Sequence, residues 1–480
     1  MIFKIGCIIC CASVLFGAQS YEEWLGKNKA QYQNYKKSLD EEFANGLKKE
    51  WEVFKSGFYE NPYAKPKPKT APKFEGEPKS EPFEKEIALP KVKLAPIEEA
   101  KPIEIQKPKP QIIIAKTKDE NMVDFEFFGS QIKAVYPKNF PQNMKLNSSE
   151  TIAKYYENIS KIDTKSLQDT ISQTSQKLSL NDWGKYLLTQ TIASKIYTND
   201  KNSANALAWF LLLKQNFDVK IAIDDAKNLI LLGNFEQKLY QVSYVTVGKK
   251  AYFVLSPDGK SAKISSLQTY EVSYSQFLSP ISPNIKSAFA FEEKMTDKIL
   301  HFTFDSKEYA IKARYNNNAI EFLKTFPQTE YAVYFDAKEP NYLDGLVGQL
   351  RAQMQNMNEI SAVNFLLRFV QKSFNYKTDT EQFSYEKVML PEETIFYPFS
   401  DCEDRSIIFS YLVKSTLGLK VVGMKFSDHL ATAVKLNTQI EGDSFVLDGE
   451  RYFVADPTFI NSNIGMTMPQ YKNAKFGVVR

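Results

Sequence analysis

Three residues in the last fifth of the chain could together perform nucleophilic chemistry: Cys402, His429 and Asp456. Cys402 lies in PFSDCEDRSIIFSYL. After the break at Pro398, Ile407, Ile408, Tyr411 and Leu412 recur at helical spacing, and Gly418 fits a helix stop. The thiol should therefore open a helix, where the dipole and free N–H groups favour a thiolate. Asp401, Glu403 and Asp404 oppose this with negative charge, so an imidazolium partner would have to win. His429 begins the alternating stretch HLATAVKL, which reads as a strand. Asp456 ends RYFVAD, a second strand fed by the hairpin signal Asp448-Gly449. Side by side, the strands would let the carboxylate hold one ring nitrogen while the other faces sulfur. Taken singly, each residue has a structural reading: a packed small thiol, a strand-end histidine, a turn aspartate before proline. The combination, in this order and in these local contexts, is what points to chemistry. The other histidine, His301, falls on the face opposite Leu300, Phe302 and Phe304 and is expected to be exposed.

Scarcity sharpens the reading. Of 480 residues only four are cysteine and two histidine, which excludes a multi-zinc protein and a disulfide framework. Residues 1–18 read as an export signal, with Lys4 followed by the apolar run IGCIICCASVLF; the run is shorter than the ~20 residues a membrane span needs. Cleavage there removes Cys7, Cys10 and Cys11 and leaves Cys402 alone in an exported, periplasm-type compartment. A net charge of +4, from 61 basic and 57 acidic residues, argues against a nucleic-acid partner. Hydrophobic residues at 43% supply real cores, which excludes a wholly disordered chain.

The elements that must hold the three residues follow from periodicity and composition. Residues 19–60 carry an apolar stripe from Trp24 to Phe54, the mark of an amphipathic helix that docks on the fold or on a partner. Residues 61–118 hold 11 of the 22 prolines amid Lys and Glu, a semi-rigid spacer. A domain over 119–260, a β-rich middle domain over 261–341 and a catalytic domain over 342–480 complete an α+β chain. The first and last domains echo each other: Tyr252-Phe253-Val254 and Pro257 recur as Tyr452-Phe453-Val454 and Pro457 at an offset of 200. Opposite Cys402, His429 and Asp456 the first copy has Asn202, Leu229 and Ser256. That copy would keep the frame without the chemistry.

The motifs DCEDRS, DHLATAV and VADPTF, together with FVQKSFNYKTDTEQF and LPEET upstream, resemble the transglutaminase-like superfamily of cysteine enzymes over roughly residues 345–465. The resemblance implies a papain-like α+β fold, duplicated here, with Cys402 as nucleophile, His429 as base and Asp456 as its orienter. Ser400 stands where the family commonly has Gly. The oxyanion donor is not fixed by motif; beside the Cys402 N–H, Gln371 and Tyr397 are candidates for that role or for positioning substrate. The expected activity is cleavage or transfer of a protein or peptide amide through a thioester. The alternative is a silent scaffold binding a protein or cell-wall partner. No cofactor motif stands out, and calcium stays open.

Overall fold

Period-two alternation builds two long hairpins that lay out the molecule. The computed structural model describes residues 21–60, 70–75, 119–259 and 263–480. The expected export signal and most of the 61–118 spacer lie outside them. In one hairpin, Glu120–Phe127 pairs antiparallel with Ser130–Pro137 and buries Phe125, Phe127, Ile132 and Ala134. In the other, Met295–Phe304 pairs with Lys307–Asn316 and buries Leu300, Phe302, Phe304, Ile311 and Ala313, leaving His301 exposed. A two-stranded ribbon cannot stand alone in water. Each therefore lays its apolar face on a later helix: Asp182–Ile196 under the first, Glu359–Ser373 under the second. Phe302 meets Phe365 and Phe369 edge-on at 5.1 and 5.3 Å.

Beyond those helices both halves run through the same elements. The first half continues with helix Lys201–Lys214 and strands Val219–Ile223, Leu229–Asn234, Ser243–Val247, Lys250–Val254 and Ser266–Thr269. The second continues with helix Cys402–Leu417 and strands Val421–Lys425, Leu430–Val434, Ser444–Leu447, Glu450–Ala455 and Gly477–Val479. In space each set is ordered third, fourth, second, first, fifth, with every pairing antiparallel. Tyr244 faces Phe253 as Ser444 faces Phe453. The fold is thus mixed α and β, with one helix–sheet arrangement occurring twice.

Two features separate the halves. Glu52–Lys55 pairs with the fifth strand of the first sheet and Gly57–Phe58 with its third, so one short stretch of chain joins both edges and closes that sheet. In the second half, the short turn 197–200 is replaced by the long segment 374–401, which carries helices Asp379–Phe383 and Pro391–Phe396 and a parallel pairing of Asn375–Tyr376 with Phe399–Ser400.

Two expectations are corrected. Residues 261–341 form no separate β-rich domain: Ser266–Thr269 completes the first sheet, and the 295–316 hairpin belongs to the second core because helix Glu359–Ser373 covers it. The N-terminal helix is shorter than its apolar stripe, ending at Leu47, where Lys49 N–H caps back to Gly46. Its last turns bury Phe43, Ala44 and Leu47, while residues 27–31 and 33–38 are exposed. Among the described residues no helix is long and apolar enough to cross a membrane.

Candidate functional site

Cys402 is the first residue of helix Cys402–Leu417, with Asp401 as N-cap and Gly418, at φ +66°, ending it in the left-handed conformation. The helix start is fixed from two sides. Asp404 accepts from the Asp401 N–H at 3.1 Å and from the Met389 N–H at 2.9 Å, the latter tying segment 374–401 to the cap. One turn inward, Ser406 Oγ donates to the Leu430 carbonyl at 2.9 Å. That bond joins the Cys402 helix to the strand that His429 immediately precedes.

His429 sits at the close of the turn Phe426–His429, whose ends are joined by Phe426 N–H donating to the His429 carbonyl. Its Nε2 lies 2.8 Å from Asp456 Oδ2. The other ring nitrogen, Nδ1, is buried and has no hydrogen-bond partner among the described residues. With Nε2–H given to the carboxylate, Nδ1 is the lone-pair nitrogen a general base needs. Asp456 follows strand Glu450–Ala455, which pairs with the His429 strand through Thr432 opposite Ala455. Its Oδ1 accepts from the Thr458 and Phe459 N–H groups at 2.9 and 3.3 Å. The aspartate before Pro457 is thus a turn residue and the imidazole's partner at once.

Gln371 is placed differently from the role considered for it. Its amide nitrogen donates to the carbonyls of Asp456, Phe459 and Ser462 at 3.2, 2.9 and 3.2 Å, and its oxygen accepts from Asn461 N–H and Arg368. With its amide spent on backbone, it positions the Asp456 turn and offers nothing to an oxyanion. Tyr397 packs among Phe383 and Phe396, near Lys387. Burial pushes its phenol up to about 12, with Lys387, Glu393, Tyr385 and Glu321 as its charged or polar neighbours. None of these neighbours is Cys402, His429 or Asp456.

The tyrosine that does reach the site is Tyr471. Its ring stacks on His429 at 5.0 Å and 17°, and Phe426 tilts against it at 4.7 Å. Its hydroxyl donates to Asp428 at 3.1 Å. Burial raises the phenol well above its ordinary range, and Asp428, Cys402 and Asp456 add to the rise. Little in the sequence marked Tyr471, which lies in an irregular stretch around a one-turn 3₁₀ helix at Pro469–Tyr471.

The site is closed. Cys402 is 1% exposed, His429 2% and Asp456 1%. Cys402 Sγ donates to Glu403 Oε2 at 2.9 Å, and Asp401, Glu403, Asp404 and Arg405 are all buried beside it. Burial holds the Arg405 guanidinium down at about 10, although Tyr376, Asp401, Asp404 and Cys402 favour its charge. It donates to the Phe374 carbonyl and to Ser400 Oγ, which gives Ser400 a structural task. No protein-family model, no curated protein and no solved structure matches this chain.

Two groups of buried acids, Asp379–Glu386–Glu403 and Asp379–Asp401–Asp404, bring ligand oxygens within 4.8 Å of one another, the sets a cation would use. Asp379 and Asp404 already accept from the N–H groups of Lys387, Met389 and Asp401.

The first half has no counterpart to this chemistry. Its equivalent helix has Asp200 at the N-cap position where the other has Asp401, and Asn205 donates to the Leu229 carbonyl as Ser406 does to Leu430. Matching on those caps puts Lys201 and Asn228, one residue before Asn202 and Leu229, opposite Cys402 and His429. Ser256 keeps its place opposite Asp456 by the register of the third and fourth strands.

Proposed function

We propose that the protein is a thiol enzyme of the transglutaminase-like kind that acts on amide bonds of a protein or peptide after export. The single observation carrying this reading is the buried imidazole held through Nε2 by Asp456 with Nδ1 left unpartnered. A neutral histidine so fixed is set to take a proton from a thiol. Cys402, at a helix start bonded to the strand that follows His429, is the thiol at hand. Attack of the thiolate on the amide carbon breaks the C–N bond, the proton on His429 passes to the leaving amine, and water resolves the thioester. The Cys402 N–H is the donor available at the helix start for the oxyanion. The same elements in the same strand order in both halves support a duplicated fold in which the second copy carries the chemistry.

A second reading, a silent scaffold, is favoured by one observation: the sulfur is 1% exposed and bonded to Glu403. Iodoacetamide at mildly acidic pH separates the two. A thiol activated by His429 is alkylated well below ~8.5, the unperturbed cysteine value, and His429→Ala slows that alkylation. A packed thiol stays inert in both proteins. On a peptide amide substrate, Cys402→Ala should abolish turnover; full activity in that variant ends the enzymatic reading.

A further inference from the structure

Among the described residues, spacer residues 72–74 bond to the folded part at the turn that carries Asp456. Phe74 N–H donates to the Ile460 carbonyl and Ile460 N–H to the Pro72 carbonyl, each at 2.9 Å, so that Lys73 and Ile460 form a parallel bridge. This is β-addition, in which backbone bonds hold an extended peptide and alternate side chains read pockets. Phe74 supplies the inward side chain. Half-buried, it meets Phe459 edge-on at 6.0 Å and packs on the cluster that includes Phe426 and Tyr471, the two rings against His429. Lys73, at the bridge, and Glu75 are both exposed. Pro72 costs nothing here, because only its carbonyl is used.

We propose that the edge at Phe459–Ile460 is a binding site for an extended peptide bearing a large aromatic residue, and that Pro72–Phe74 is its intramolecular occupant. The assignment of a peptide ligand deepens the amide-directed reading and rests on it. The binding edge itself stands on the contacts above. Charge indicates a preference as well. Lys73 lies near Lys372, whose ammonium is disfavoured chiefly by burial and further by Arg368 and Lys73. An acidic residue at that place would meet the Lys372 ammonium, so the chain's own segment is an imperfect occupant that a better peptide can displace.

The test uses the full chain and three fluorescein-labelled peptides of residues 69–76: the native KTAPKFEG, a Lys73→Glu version and a Phe74→Ala version. A tethered segment competes at an effective concentration that reaches the millimolar range. The native peptide should therefore bind Phe74→Ala protein at least tenfold more tightly than the unsubstituted chain. Among the peptides, the Lys73→Glu version should bind tightest and the Phe74→Ala version weakest. Hydrogen exchange should show the Ile460 amide protected in the unsubstituted chain, exposed in Phe74→Ala protein, and protected again by added peptide. Replacing residues 72–74 by glycine gives a second host should Phe74→Ala protein fold poorly. The proposal is overturned if the Phe74→Ala peptide binds as well as the native one or the Lys73→Glu peptide binds more weakly. The absence of peptide-dependent protection at Ile460 overturns it equally. None of these readouts needs turnover, so their failure leaves the catalytic reading standing, and an inactive enzyme leaves the binding edge standing.

Discussion

At the scale of single residues, the positions of Cys402, His429 and Asp456 are legible because each sits at an element boundary that local sequence marks. Pro398 before the Cys402 helix, alternation after His429 and Pro457 after Asp456 all serve this purpose. What local sequence cannot mark is a side chain that arrives from elsewhere. Tyr471 has no periodicity to announce it, yet its ring lies flat on the His429 imidazole and its hydroxyl is tied to Asp428. Gln371 was a candidate for the oxyanion or for positioning substrate, but its three carbonyl partners are set by the path of residues 456–462, which no local pattern shows. Tyr471 is the obvious cover of the closed site. Removing its ring should lower the free energy of local opening, and each 1.4 kcal/mol is tenfold in the open fraction. Tyr471→Ala should therefore speed alkylation of Cys402 by on the order of tenfold. Tyr471→Phe, which keeps the stack and loses only the bond to Asp428, should change it little. If the Ala variant labels no faster, the route to sulfur lies elsewhere.

At the scale of elements, the helices and strands that carry the triad follow from apolar spacing and punctuation, including the Asp448-Gly449 turn, where both residues take positive φ. Segment 374–401 did not follow, for a physical reason. It is held less by an apolar face than by buried polar groups, among them Asp379, Lys387, Glu392, Glu393 and Asp401. Such a network has no period to read. The 295–316 hairpin failed in the opposite way: its alternation was plain, but a ribbon's sequence does not say which helix will cover it. Asp404 is where the polar segment and the Cys402 helix are joined, since its carboxylate serves both the Asp401 and Met389 N–H groups. Hydrogen bonds to a charged group contribute ~1.5–3 kcal/mol each, so Asp404→Ala should cost about 3–5 kcal/mol in urea unfolding. It should also increase hydrogen exchange at residues 388–390. Asp404→Asn, which keeps one of the two acceptor oxygens and turns its NH2 toward the other N–H, should recover at most one of the two bonds. Equal losses in the two variants would mean that the charge alone matters and the bonds do not.

At the scale of the whole molecule, two like units have been finished differently: the first closes its sheet with the N-terminal stretch, the second builds a polar segment over its helix start. That segment makes the second unit sensitive to pH through Glu392, which joins it to the 295–316 hairpin. The carboxylate is buried and accepts from Asn316 N–H and Tyr342 hydroxyl, each at 2.6 Å. Burial pushes its pKa up to about 7; the two hydrogen bonds hold it back, and the charge of Glu393 adds to the rise. A carboxyl raised on folding binds its proton more tightly in the native state. Its contribution to stability is full below the unfolded value near 4.5 and is lost as pH climbs through the native value near 7. The shift corresponds to about 3 kcal/mol. Native protein should accordingly lose on the order of that amount between pH 4.5 and 8 from this group alone. Glu392→Gln keeps an oxygen for both donors and never ionises. Its denaturation midpoint should match the unsubstituted protein near pH 5 and exceed it at pH 8. Urea titrations of both proteins across that range measure the difference directly, and parallel curves would show that Glu392 is not the group that titrates.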